Sequence, residues 1–143
     1  MAAQAVADAQ ELARKARAHA VRMVSRAKAS HIGTCLSMAD MLGVLYGAGV
    51  LRVRPNEPDW AERDRFILSK GHGAAILYAI LAERGFISTG ELNTYCTAGS
   101  QLLGHANHHV PGIELSTGSL GHGLPVACGL ALAAVRGGDS YRV

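Results

Sequence analysis

Cysteine is scarce and poorly spaced for structural use. Cys35, Cys96 and Cys128 are odd in number, far apart and form no CxxC pair. This argues against both a disulfide framework and a cysteine zinc site. It fits reduced thiols, so the expected location is cytoplasmic. The N-terminus has no signal-peptide apolar core. No apolar run is long enough for a membrane: the longest near-continuous one, Leu124 to Val135, is too short to span a bilayer and reads as a buried helix. Charged residues make up only 17% of the 143, and the net charge is +3. Arg14, Lys15, Arg17, Arg22, Arg26 and Lys28 lie on one helical segment with no aromatic interleaving, so they read as a solvated helix face and no nucleic-acid partner is expected. A hydrophobic fraction of 49% excludes wholesale disorder, and the length suits one domain with a real core.

Histidine and glycine, by contrast, are plentiful and occur together. The chain has seven histidines, and the telling stretches are Ser30-His31-Ile32-Gly33, Ser69-Lys70-Gly71-His72-Gly73, Gly104-His105 and Ser116-Thr117-Gly118-Ser119-Leu120-Gly121-His122-Gly123. Glycine lets a backbone approach a ligand closely, and histidine offers a proton that moves near neutral pH. Such turns suit a polar, phosphorylated molecule; a histidine metal site and a purely structural set also fit the residues alone. The turn at 69–73 has the free N–H groups and basic side chains of a phosphate cradle but lacks the P-loop spacing. The turn at 117–123 is not in Rossmann order. His105, His108 and His109 are zinc ligands by type, but only Glu114 is a near carboxylate, so His108 and His109 read as solvated. His19 reads as a surface residue.

The periodicity predicts a helix over 4–29, with Leu12, Ala16, Ala20, Met23 and Ala27 on its weakly apolar face. Ser30 to Gly33 breaks it. Ser37 and Asp40 form a capping-box-like start for the next helix, striped by Met38, Met41, Leu42 and Leu45. Arg65-Phe66-Ile67-Leu68 reads as a strand and leads into a buried helix over 73–84 that stops at Gly85. Ser88 and Glu91 form a second capping box. Residues 97–123 form a long loop of functional type. A buried helix over 124–136 follows, and Tyr141-Arg142-Val143 starts a strand. The pattern is α/β with parallel strands and helices on both faces. With only one complete strand visible, residues 1–143 are expected to be a single, incomplete domain.

The stretches SHIGTCLSMADMLGVLY, DRFILSKGHGAAILYAILAERGF and GHANHHVPGIELSTGSLGHGLPVACGLALA stand in one order. They resemble the N-terminal, diphosphate-binding region of transketolase, most of all the N-terminal subunits of split transketolases. The likeness runs from about residue 20 to the end. It implies an incomplete parallel-sheet thiamine-diphosphate-binding fold. It implies thiamine diphosphate, a divalent metal such as Mg²⁺, and transfer of a two-carbon ketol unit from a ketose to an aldose, both normally sugar phosphates. By the same resemblance, His31 acts at the reacting hydroxyls, His72 contacts the diphosphate and the substrate side of the cofactor, and His105 binds the donor's C1 hydroxyl. Gly118, Ser119 and Leu120 form the cofactor-binding loop.

Two departures qualify the likeness. His122 stands where the family usually has Gln, which leaves it without a role. The family's Gly-Asp-Gly metal motif and its later Asn are not among these residues, and Asp139 precedes the final strand, so the metal ligands are expected outside this chain. The expected function is therefore that of a transketolase piece active only with a C-terminal segment or subunit, in an oligomer. An inactive truncated remnant and a non-catalytic interaction module are the alternatives.

Overall fold

The computed structural model describes residues 2–143, and among them every regular element is helical. Four α-helices are present: α1 (Ala2–Ala27), α2 (Ile32–Gly47), α3 (Ala74–Glu83) and α4 (Gly123–Gly137), with 3₁₀ turns at Gly71–Gly73 and Glu91–Thr94. The first three helices pack together and α4 stands apart from them.

α1 buries Ala9, Leu12, Ala13, Ala16, Ala20, Met23 and Val24, a stripe with helical period. Small side chains on that stripe let α2 come close. A Cβ at Gly43 would lie 2.5 Å from the Ala9 carbonyl oxygen, and one at Gly47 would lie 2.9 Å from the Ala9 Cα. α2 starts at Ile32 and not at the expected Ser37. The positive φ of His31 (74°) turns the chain there, and the Ser37 hydroxyl donates to the Thr34 carbonyl at 2.8 Å in place of capping. α3 is apolar almost all round and is buried from Ala74 to Ala82. Gly85, at φ +86°, ends it as expected, and Phe86 N–H donates back to the Leu81 carbonyl. The Ser88–Glu91 capping box forms reciprocally, at 2.9 and 3.2 Å, but opens only a 3₁₀ turn.

The expected α/β fold, with an incomplete parallel sheet between helices, is not what forms: no strand occurs among the described residues. The two segments read as strands do meet, through Arg65 N–H to the Arg142 carbonyl at 2.7 Å. A ladder needs further bonds of this kind, none is made among the described residues, and three of the groups beside it are engaged elsewhere. Arg142 N–H donates to the Asp64 carboxylate at 2.9 Å, the Ile67 carbonyl accepts from Ser69 N–H, and the Leu68 carbonyl accepts from the Thr117 hydroxyl. Nor does α3 need a sheet to cover it, because α1, α2 and the loops enclose it.

α4 departs from expectation in the other direction. It reads as buried, yet Leu124, Val126, Leu132 and Val135 are exposed, and only Gly123 and Ala134 are buried.

Asp64 fastens the two ends of this arrangement. Its side chain is fully enclosed and accepts from Arg52 N–H, from Arg142 N–H and from both guanidinium groups. Burial pushes its carboxyl up, but the bonds from Arg142 and Arg52 outweigh that and hold it well below the usual carboxylate range. A depressed folded-state pKa gives stability that is complete above the unfolded value of about 4 and is lost as pH falls below it. Acid titration followed by circular dichroism should therefore show a loss of stability below about pH 4 that is smaller in Asp64→Asn.

Candidate functional site

Three glycine-bearing segments are tied into one circuit by backbone bonds. Ala106 N–H donates to the Gly71 carbonyl at 3.1 Å, and Thr117 N–H donates to the Ala106 carbonyl at 3.1 Å. The Thr117 hydroxyl then donates to the Leu68 carbonyl at 2.6 Å, which closes the circuit onto the first segment. Gly71 is obligatory here, since a Cβ would stand 2.4 Å from the Thr117 carbonyl oxygen. Gly123 is held as closely, its added Cβ lying 2.4 Å from Ser69 Cα, and this joins the start of α4 to the same segment.

Each residue of the circuit is the chain neighbour of a residue singled out from the sequence: Gly71 precedes His72, Ala106 follows His105, and Thr117 precedes Gly118. The result is convergence. The rings of His31 and His72 lie 5.1 Å apart between centroids, and those of His31 and His105 lie 5.6 Å apart, both edge-to-face. Gly118 sits against His105, its added Cβ being 3.6 Å from the ring. His31 comes from the turn before α2, where its left-handed backbone aims it at the other two. His31, His105, Gly118, Ser119 and Leu120 are exposed and His72 is half-buried, so this is an open face.

The charge on this face has one sign. Burial, followed by His31, Lys70 and His105, pushes the His72 imidazole below the ordinary histidine value. None of those neighbours is a carboxylate. The backbone N–H groups of Gly118, Ser119 and Leu120 have no partner among the described residues, and they stand just before the N-terminus of α4. Free N–H groups at a helix start, flanked by basic side chains, suit an anion. The donor set does not suit a divalent cation, and no group of three His, Cys, Asp or Glu among the described residues is placed to hold a metal.

The remaining histidines lie elsewhere. His108 and His109 stack on each other at 4.1 Å, and His108 Nδ1 lies 2.7 Å from the Ser116 hydroxyl; both border a hollow of about 210 Å³ with Asp59 and Arg63. His19 is not a free surface residue, because its Nε2 meets Glu83 at 2.9 Å. His122 precedes α4 and donates its N–H to the Ser119 carbonyl at 3.4 Å.

Two residues behind the site were not anticipated from the sequence. Tyr78, fully buried on α3, donates its hydroxyl to the His105 carbonyl at 2.8 Å. Burial raises its phenol well above the ordinary value, and the N–H groups of Leu103 and Asn107 act the other way. Thr117 lies in a noted motif, but its closure onto Leu68 is a tertiary contact. The signal for Tyr78 was legible: a lone hydroxyl in the buried run Ala74–Ala82 must find a partner.

Residues 8–142 match the family described as "Transketolase, thiamine diphosphate binding domain". Among curated proteins, one subunit of the apulose-4-phosphate transketolase of Phocaeicola vulgatus is 45% identical over 128 residues, which are 90% of this chain and 45% of that protein. Transketolase 1 of Saccharomyces cerevisiae is 42% identical over 115 residues, 80% of this chain and 17% of that protein. The crystal structure of the Pichia stipitis transketolase complex with sedoheptulose-7-phosphate superposes with a TM-score of 0.85 at 34% identity, covering 92% of this chain and 19% of that one. Transketolase from Campylobacter jejuni gives the same TM-score at 36% identity, covering 90% of this chain and 20% of that one. The chain thus spans less than half the length of these relatives.

Proposed function

The chain belongs to the transketolase thiamine diphosphate binding domain family, and from that premise we propose that it is the cofactor-holding N-terminal part of a transketolase that works with further segments on partner chains. The observation that carries this reading is the meeting of His31, His72 and His105 beside the unpaired N–H groups of Gly118, Ser119 and Leu120. In this reading the diphosphate lies against those N–H groups and His72, whose neutral ring donates one hydrogen bond without requiring a counter-charge. When bound, thiamine diphosphate supplies the carbanion chemistry that breaks and remakes a carbon–carbon bond.

The protein's own part is binding and proton handling. As the donor's C2–C3 bond breaks, His31 would take up the proton of its C3 hydroxyl while an aldose two carbons shorter leaves, and it would return a proton to the new hydroxyl oxygen formed from the acceptor aldehyde, so no oxidant is needed. His105 holds the donor's C1 hydroxyl. By the family likeness, the Mg²⁺ ligands are expected outside these residues. The substrates are sugar phosphates and the setting is the cytoplasm, which suits the free thiols of Cys96 and Cys128 on the surface.

Titration calorimetry with thiamine diphosphate and Mg²⁺ tests this reading. The chain alone is expected to bind weakly or not at all, and the chain co-expressed with a C-terminal transketolase segment is expected to bind tightly and to transfer the ketol unit. Tight, Mg²⁺-dependent binding by residues 1–143 alone would refute the shared site. No binding in any combination would favour an inactive remnant or an interaction module.

A further inference from the structure

We propose that Tyr78 and Thr117 are positioning residues that set the direction of the His105 and His72 imidazoles from behind the site. The inference rests on the function proposed above for those imidazoles, but its geometry stands without it. The peptide unit between His105 and Ala106 is clamped on both sides: its carbonyl accepts from the Tyr78 hydroxyl at 2.8 Å, and its N–H donates to the Gly71 carbonyl at 3.1 Å. With that plane held, the His105 ring is free to move only about its own side-chain torsions.

The clamp has rigid supports at both ends. Tyr78 belongs to the most deeply buried helix and its ring packs edge-to-face on Tyr95, with 6.3 Å between centroids. Its hydroxyl is therefore a fixed point for the loop that carries His105. On the other side, the Gly71 carbonyl belongs to the peptide unit that leads into His72, so one bond from Ala106 couples the two histidines through the backbone.

Thr117 holds the next peptide unit, between Ala106 and Asn107, from a third direction. Its N–H donates to the Ala106 carbonyl and its hydroxyl to the Leu68 carbonyl, while its own carbonyl rests where a Gly71 side chain would be. Among the described residues its hydroxyl is thus the one side-chain group that hydrogen-bonds the Gly118 loop to the segment leading to His72. Imidazoles on an exposed face have little packing of their own to orient them, and a displacement of about 1 Å in such groups can cost about a hundredfold in rate.

The test uses Tyr78→Phe, Thr117→Val and the conservative Thr117→Ser, each in the full chain assembled with its C-terminal partner segment. Ring titrations of the histidines are followed by NMR beside melting temperature and, where ketol transfer is present, kcat and KM. Tyr78→Phe is expected to move the titration of His105, and Thr117→Val those of His72 and His105. His108 and His109 should stay unchanged, and Thr117→Ser should restore the wild-type curve. Turnover should fall about tenfold to a hundredfold, with donor KM changed less than kcat. A lower melting temperature with unchanged His72 and His105 titrations would overturn the proposal and leave both residues merely structural. Absence of ketol transfer in the wild-type assembly would overturn the functional reading alone, because the ring titrations still decide the positioning. If Thr117→Val fails to fold, Tyr78→Phe, which keeps the ring and removes one oxygen, decides it.

Discussion

The Gly71→Ala variant is expected to lose about 2–3 kcal/mol of stability and, in the assembled enzyme, about a hundredfold in turnover. One methyl group suffices because of what it would meet. The added carbon would stand 2.4 Å from the Thr117 carbonyl oxygen, 2.6 Å from its carbonyl carbon and 2.7 Å from its hydroxyl. Two of these are backbone atoms, and the hydroxyl is already bonded to the Leu68 carbonyl, so no flexible group can yield. The segments must separate, which breaks the Ala106-to-Gly71 bond and lets His72 and His105 move apart. Gly33→Ala is the control: its added carbon meets nothing within 4 Å, and it lies in α2. There, in the first turn of the helix, the substitution should be neutral or stabilising by up to about 0.5 kcal/mol, from helix propensity. Urea unfolding of both variants checks the pair, and equal stabilities would show that the segments around Gly71 are not held as described.

Replacing His31 with Asn is expected to reduce kcat about 10²- to 10³-fold while changing the cofactor requirement little. The choice of Asn matters, because His31 has φ 74° and Asn tolerates the left-handed region better than most residues. The variant thus removes the imidazole without adding backbone strain. His31 meets both other rings and in the proposed reading handles the proton, so its loss should strike proton transfer before cofactor retention. His72→Ala should show the opposite balance, chiefly a higher thiamine diphosphate concentration for half-saturation. Steady-state kinetics of the assembled enzyme across cofactor concentrations separates the two. Equal losses in both variants, insensitive to cofactor, would sink the assigned roles.

Much of the site was legible because its motifs are local. His31, His72, His105 and Gly118 stand beside turn glycines, and a turn announces itself within four or five residues. The fold class was not legible: the expected α/β sheet does not form among the described residues, although individual helices were located. Apolar periodicity located α1 and the buried helix α3, since a helix's hydrogen bonds are its own. The run at 65–68 looked like a strand for its β-branched and aromatic content, but a strand exists only through a partner. The Asp64 carboxylate took the Arg142 N–H that a ladder would have used.

Composition and spacing by themselves indicated the helical segments, to within a few residues except at the start of α2, and which turns carry glycine and histidine. Only the tertiary structure decided that α1 and α2 cover α3 without a sheet, that α4 keeps an apolar face exposed, and that three distant histidines meet while His108 and His109 pair elsewhere. The division has one physical cause. Helix periodicity and turn chemistry are properties of a few consecutive residues, whereas burial and ring-to-ring distance depend on bonds such as Thr117 to Leu68, which join residues far apart in the chain.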